Sequence, residues 1–541
     1  MLPRVAASLE DAQEQVSTSK GANASRVFRH ETSSTAGEIT RLTRDPPINK
    51  LPLELLTRIF WLTVPPFKGF DAVIQGFWWP NIARVAKTRE LVPLTHVCKG
   101  WRAIALQTPF LWSSINGSNN LAEPQRAALW AARAPPSIPT ADAFLARSAS
   151  IPINIFAQRD LHPSVLSMCR NHSSRIQELH LFCIDDKVEK IVSLTDFPAP
   201  CLEYVTVHAA QSMGYARGLP PTGSYTVSLF CGQASMLRYL TWQIGTCLPS
   251  NQFLSLTHLS IRPVISAVHH QWQLTDLLTL LSGCPALQEL VLARLQDSLR
   301  YDDVPSVALA SLRKIRVGWV HPTLATWLIE HIIPIENATV HIESTTDTCP
   351  SSCRPARMPM YRGELARVFL STDMNDVITT VTAVGVTSGG ICVEWASNRY
   401  RRKCPACLHW APSLWAVWPL ASTRELWISE HVDPEWLGGY PTIFRSLPCL
   451  KTIFFCESVY PKFRFGKYFD AFVAALSARC TNGVSAFCPR LKTLHLYLVT
   501  EAVGLETLAQ LNAARRALGL EAGEILRQEG STTAGRSPRV H

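Results

Sequence analysis

A short pattern, an apolar residue, two others, then apolar-x-apolar, returns nine times along the second half and middle of the chain. It stands in "RIQELHLFC" at Ile176, Leu179 and Leu181, in "CLEYVTVH" at Leu202, Val205 and Val207, and in "MLRYLTWQ" at Leu237, Leu240 and Trp242. It continues at Leu256, Leu259 and Ile261, at Leu287, Leu290 and Leu292, and at Leu312, Ile315 and Val317. After a gap it resumes in "RELWIS", at Leu450, Ile453 and Phe455, and at Leu491, Leu494 and Leu496. An apolar-x-apolar pair places both side chains on one face of a strand, so each copy predicts a short strand with one buried side. "INIFA" at 153–157 fits one further step upstream. Between the copies lie stretches of helical period, "HPSVLSMCRNH", "QLTDLLTLLSGC", "PTLATWLIEHII" and "KYFDAFVAALSARC".

Starts are separated by 26 residues (176 to 202) or 25 (287 to 312), and elsewhere by 19 or 31. These spacings bracket the period of leucine-rich repeats, in which a strand and a returning segment form each unit. One unit cannot cover its own apolar edge, so the units are expected to stack. The fold class expected is therefore α/β, an irregular leucine-rich-repeat-like solenoid of short parallel strands and helices, preceded by a small helical unit. The repeats divide into a first part at 150–343 and a second at 423–510, with an irregular insertion at 344–422 where the pattern is not clear.

Strand alternation also nominates the residues facing away from the core. Those between and just after the inward pairs are His180, Phe182, Thr206, His208, Thr241, Gln243, Ser260, Arg262, Arg316, Trp427, Phe454, His495 and Tyr497. Aromatic and arginine side chains on such a face are the types that anchor protein interfaces. His180, Phe182, Arg262, Arg316, Trp427, Phe454, His495 and Tyr497 are the target-binding candidates.

Upstream of the repeats, residues 1–45 are rich in Ser, Thr, Ala and Gln with no sustained period, the composition of a disordered tail. The pattern changes at "INKLPLELLTRIFWLTV". Pro52 suits a first helical turn and Glu54 favours the positive helix end. Leu55, Leu56, Ile59 and Phe60 recur at helical spacing, and Pro65-Pro66 stops the run. A second helical segment, "LVPLTHVCKGWRAIALQTPFLWSSI", aligns Leu94, Val97, Cys98, Trp101, Ile104 and Ala105 on one stripe. At about 25 cal/mol per Å², the apolar surface on two such helices exceeds what they can hide from each other, so it calls for a partner.

"INKLPLELLTRIF" followed by "LTHVCKGWRAIALQTPFLW" resembles an F-box domain of the type found in long fungal proteins. The resemblance covers about residues 48–115, with an insertion at about 64–91 that is longer than the family's usual connection. It implies a domain at 46–116 that binds a Skp-type adaptor, and through it a cullin, in a ubiquitin ligase. Carried over by position, the adaptor contacts would be Leu51, Pro52, Leu55, Ile59, Phe60, Val97, Cys98 and Trp101. Some of these, Ile59 and Trp101 above all, serve equally well as the inner core of a helical hairpin. A helical linker (117–149) and a C-terminal tail (511–541) complete the expected organisation.

Composition constrains the rest. With 47% hydrophobic and 17% charged residues the chain has ample material for burial. No apolar tract is long enough to span a bilayer, and the start lacks the apolar run of a secretory signal, so a cytoplasmic or nuclear location is expected with no membrane partner. The net charge of +10 is spread out. Its one cluster, "RYRRK" at 399–403, has no stacking module beside it, so no nucleic-acid partner is expected. "CPAC" (Cys404, Cys407) and "CPSSC" (Cys349, Cys353) are far apart and the second is a poor zinc knuckle; no metal or other cofactor is expected. No phosphate loop, nucleophile elbow or metalloprotease motif occurs, so the chain is read as a receptor without catalytic residues of its own. The alternatives are a repeat protein that assembles or sequesters partners without turnover, and a zinc-binding domain protein centred on 344–422.

Overall fold

The nine motif copies become strands whose apolar-x-apolar pairs all point into one core. The computed structural model describes residues 48, 51–63, 91–116, 139–158, 163–184, 188–209, 226–263, 272–295, 305–333, 338–344, 361, 363–372, 378–386, 389–396, 410–429, 432, 434–456, 466–477, 488–497, 509, 512–513, 516 and 525–527. The chain divides into two compact units, Met1–Pro66 with Lys87–Leu111, and Phe67–Ala86 with Trp112–His541. The expected insertion up to residue 90, the basic run at 399–403 and all four CPAC and CPSSC cysteines lie outside the described residues. Among the described residues there are eleven α-helices, and none is long and apolar enough to cross a membrane.

The first unit holds α1 (Leu53–Thr63), α2 (Leu91–Val97) and α3 (Lys99–Leu106). The Pro52 carbonyl accepts from the Leu55 and Leu56 N–H groups at 3.0 and 3.1 Å, which opens α1 one residue after the proline. The single helical segment expected at 91–115 is two helices, and the second ends at Leu106. Cys98 is extended (φ −156°, ψ 170°) and its Sγ accepts from Trp101 N–H at 3.4 Å, so the thiol caps α3 and breaks the stripe at the cap. Leu56, Phe60, Leu91, Ala105 and Leu111 are buried, and the Phe60 and Trp101 rings meet at 5.0 Å.

In the second unit, one sheet of sixteen described strands runs in the order β1 (Ser114–Asn116), β2 (Ile153–Gln158), β3 (Ile176–Ile184), β4 (Tyr204–Ala209), β5 (Tyr239–Gln243), β6 (His258–Ile261), β7 (Glu289–Ala293), β8 (Lys314–Gly318), β9 (Thr339–Ser344), then β12 (Gly390–Ala396), β11 (Ile378–Gly385), β10 (Leu365–Thr372), and finally β13 (Glu425–Ser429), β14 (Thr452–Cys456), β15 (Thr493–Tyr497) and β16 (Ile525–Arg527). All pairs are parallel except those made by β11. The region expected to be irregular therefore supplies an antiparallel meander that carries the sheet from β9 to β13 without a break.

Two rows of side chains explain the sheet. Leu179, Val205, Leu240, Leu259, Leu290, Ile315, Val340, Ile391, Ala383, Val368, Leu426, Ile453 and Leu494 follow one another in register, and every one is buried. Two residues on, Leu181, Val207, Trp242, Ile261, Leu292, Val317 and Ile342 repeat the arrangement. Each such side chain contributes about 1.5–3 kcal/mol by leaving water. Helices α4 (Pro139–Arg147), α5 (Pro163–Asn171), α6 (Val188–Thr195), α7 (Leu274–Ser282), α8 (Pro322–His331), α9 (Trp410–Val417), α10 (Tyr440–Arg445) and α11 (Gly466–Ser477) contribute to the same core, α7 through Leu274, Leu277, Leu278 and Leu281. The four stretches read as helical are α5, α7, α8 and α11.

The same turn precedes eight of the sixteen described strands of this sheet. The N–H of Leu202, Leu237, Leu256, Leu287, Leu312, Thr423, Leu450 and Leu491 donates to the carbonyl three residues back, on Ala199, Ala234, Phe253, Cys284, Leu309, Leu420, Leu447 and Cys488. Those eight upstream residues are themselves buried. Cys169, Cys247, Cys284 and Cys488 are free thiols buried in this core, where a thiol packs as a small hydrophobe.

Candidate functional site

In the helical unit, the outer stripe of α1 is laid out by the 100° step between residues. Leu51, Pro52, Leu55, Ile59 and Leu62 fall on one side, Leu56 and Phe60 on another. Leu55 is 50% exposed, Leu62 61% and Val97 57%, while Phe60 is 0% exposed. Pro52 is exposed, and Leu51, Ile59, Cys98 and Trp101 are half-buried. Phe60 is buried in the helical unit, its ring packed against Trp101. Leu62 and Val92, also exposed, belong to the same surface type and were not nominated. Trp101 Nε1 is buried without a hydrogen-bond partner.

In the sheet unit, the face opposite the core carries three rows. The first runs Glu178, Tyr204, Tyr239, His258, Glu289 and Lys314. Tyr204 stacks on Tyr239 at 4.4 Å and Tyr239 on His258 at 4.3 Å, because strand spacing brings neighbouring rings into contact. The second runs Phe156, His180, Thr206, Thr241, Ser260, Val291, Arg316, His341 and Cys392, and on through Thr382 to Phe369, Trp427, Phe454 and His495. The third includes His208 opposite Gln243, and Glu343 opposite Glu394.

The expectation that every alternate residue is open to a partner fails over the first strands. His180, Phe182, Thr206, His208, Thr241 and Ser260 are buried. His180 lies between Phe156 and Phe182, with Thr206 Oγ1 3.0 Å from its Nδ1 and Glu178 Oε2 3.2 Å from its Nε2. Both ring nitrogens of His180 thus have a partner within the sheet. Gln243, Arg262, Arg316, Trp427, Phe454 and His495 are half-buried, and the Tyr497 side chain lies outside the described residues.

At the far end Phe369, Trp427, Phe454 and His495 form a ladder with centroid separations of 5.6, 3.8 and 4.4 Å. Trp427 Nε1 and His495 Nδ1 have no hydrogen-bond partner. In the middle, Arg262, Arg294 and Arg316 gather around Glu343. Burial first, then the charges of Arg316 and Arg294, pull Arg262 down to about 10 against the opposing pull of Glu343. Arg316 Nη2 donates to Glu343 Oε2 at 3.2 Å, Arg294 lies over the Trp319 ring at 4.4 Å, and Trp319 Nε1 donates to Glu343. Arg294 and Trp319 sit at φ +60° and +56°, left-handed values that a non-glycine residue holds only when its surroundings insist. Three guanidinium groups beside one carboxylate give this stretch a net positive field, suited to an anionic group.

Next to it, His341, Cys392 and Glu394 converge. Burial lowers the His341 pKa, but Cys392 and Glu394 outweigh it and hold the imidazole at about 9. The same contact with His341 holds Glu394 below the usual carboxylate range, against its own burial. No family model and no curated protein sequence matches the chain.

Proposed function

We propose that the chain is the substrate-recognition subunit of a Skp–cullin–F-box type ubiquitin ligase. The observation that carries this reading is the exposure of the apolar side chains Leu55, Leu62 and Val97 on a helical unit whose sequence resembles an F-box. Apolar side chains left half or more in water at this density are the mark of a surface that meets another protein. A Skp-type adaptor covers these side chains and links the chain to a cullin.

The second unit then serves as a solenoid that displays a recognition face to a target protein. The recurring turn, strand and return, with one buried residue at each fixed position, supports that reading. The half-buried arginines and the Trp427–Phe454 ladder are the side chains suited to anchoring a target with an acidic segment. Such a receptor makes and breaks no bond itself. It raises the effective concentration of the target near the charged conjugating enzyme.

The test is co-purification of a Skp adaptor with the full chain. A Leu55→Asp, Val97→Asp double variant, both positions on the surface, loses the adaptor while circular dichroism and thermal unfolding stay as in the parent. Undiminished recovery of the adaptor by that variant overturns the proposal.

A further inference from the structure

We propose that His341, Cys392 and Glu394 form a binding site for one zinc-class divalent cation, with a coordination position left open for a ligand from outside the chain. The three donor atoms lie within 4.8 Å of one another. His341 Nε2 is 3.2 Å from Glu394 Oε1, and Cys392 Sγ is 4.0 Å from the same oxygen. Around a tetrahedral zinc with bonds of roughly 2.0–2.3 Å, neighbouring donors stand about 3.3–3.7 Å apart, so a small rotation of each side chain closes the site.

The placement comes from the sheet. His341 on β9 is the register partner of Cys392 on β12, and Glu394 lies two residues beyond Cys392, hence on the same face. Adjacent strands are a rigid mount, which is what a coordination sphere needs. The donor set is selective as well. A thiolate beside an imidazole disfavours magnesium and calcium, and thiolate, imidazole and carboxylate together suit zinc.

Two further contacts point the same way. The Thr382 hydroxyl on β11 donates to Cys392 Sγ at 3.3 Å and fixes the sulfur in place, as an outer-shell partner does at a metal centre. His341 Nε2, although 3.2 Å from Glu394 Oε1, is buried without a properly aligned hydrogen bond. Arg316, whose charge acts on Glu394, pairs with Glu343 at 3.2 Å. Three protein ligands leave a fourth position, which is the arrangement of sites that exchange a ligand. That ligand is water or a carboxylate, imidazole or thiolate brought by a partner.

Full-length protein stripped with a chelator and titrated with zinc by calorimetry is expected to bind, and cobalt in place of zinc is expected to give a near-ultraviolet thiolate-to-metal charge-transfer band. Cys392→Ser and Glu394→Gln should each abolish or severely weaken binding. Thr382→Val, which keeps every ligand, should weaken it roughly 10- to 100-fold. A Cys404→Ser, Cys407→Ser double variant should leave this binding unchanged. The far-ultraviolet dichroism of each variant reports whether it has folded, and the conservative Glu394→Gln and Thr382→Val changes keep the test open if Cys392→Ser does not. Undiminished zinc binding in folded Cys392→Ser or Glu394→Gln, a cobalt complex without the thiolate band, or loss of all binding in the Cys404/Cys407 variant overturns the proposal.

Discussion

Phe60 and Leu55 are five residues apart on one helix and have opposite fates. Phe60 is sealed against Trp101, whereas Leu55 stays half in water. Phe60→Ala should therefore cost about 3–5 kcal/mol, the range for truncating a buried aromatic, while Leu55→Ala changes stability by less than about 0.5 kcal/mol. Chemical denaturation of each variant, followed by far-ultraviolet circular dichroism, separates the two. His208 offers a second test. Burial, with a smaller push from Arg294, holds its pKa below the ordinary histidine value against backbone contacts that raise it. The folded state thus binds fewer protons than the unfolded chain, and stability falls as pH drops through the unfolded histidine pKa of roughly 6.5. His208→Gln should flatten that loss, so the denaturation midpoint measured at pH 7.5 and at pH 5.5 should differ less in the variant than in the parent. Alternation nominated His208 from sequence alone. It was equally able to nominate Tyr204, Tyr239 and His258, which precede the inward leucine and share its neighbours' face, had positions before the pair been read as well as those after it. Burial of His180 and Thr206 was not legible in the same way, because it depends on which rings the adjacent strands bring alongside.

At the scale of elements, an apolar residue three ahead of the pair marked most of the strands that were legible, and β9 and β12, which lack it, were not read. Asn337 stands where that apolar residue would precede Val340 and Ile342, and Ser388 where it would precede Ile391 and Val393, so β9 and β12 carry no complete copy of the pattern. The sequence "LARVFL" does carry it, at Leu365, Val368 and Leu370, inside the stretch read as irregular. A further regular position, the buried residue three before each leading leucine, is also visible in "CPALQEL", "LASLRKI" and "LPCLKTI" once the turn is known. What the pattern could not announce is the reversal of β11, since alternation is the same in either strand direction. The reversal imposes its own condition at the β11–β12 hairpin. Gly390 holds φ +153°, and a Cβ there would meet the Ala383 carbonyl oxygen at 2.4 Å. Gly390→Ala forces backbone to move against backbone, and should destabilise the sheet unit by about 1–3 kcal/mol, read from the thermal midpoint together with faster amide exchange across β11 and β12.

For the molecule as a whole, the decisive fact is that β12, β11 and β10 are the sole described connection between the strands before them and the strands after them in the sheet. In a sheet built this way each strand is supported by its two neighbours, and the ladder through β11 transmits that support from β9 to β13. Val381 sits at the middle of β11, fully buried, with Val393 on one side and Leu370 on the other. A carboxylate there has no partner among these side chains, and leaving it unpaired costs several kcal/mol. Val381→Asp should therefore break the ladder at one point. Hydrogen exchange should rise first through β10–β12, then in β13–β15, whose only link to the longer run of strands is lost. Strands β2–β7, which lie within the eight parallel pairings from β1 to β9, should retain parent-like protection. Equal loss of protection at both ends would mean that the sheet melts as one cooperative body and that the meander is not its weak link.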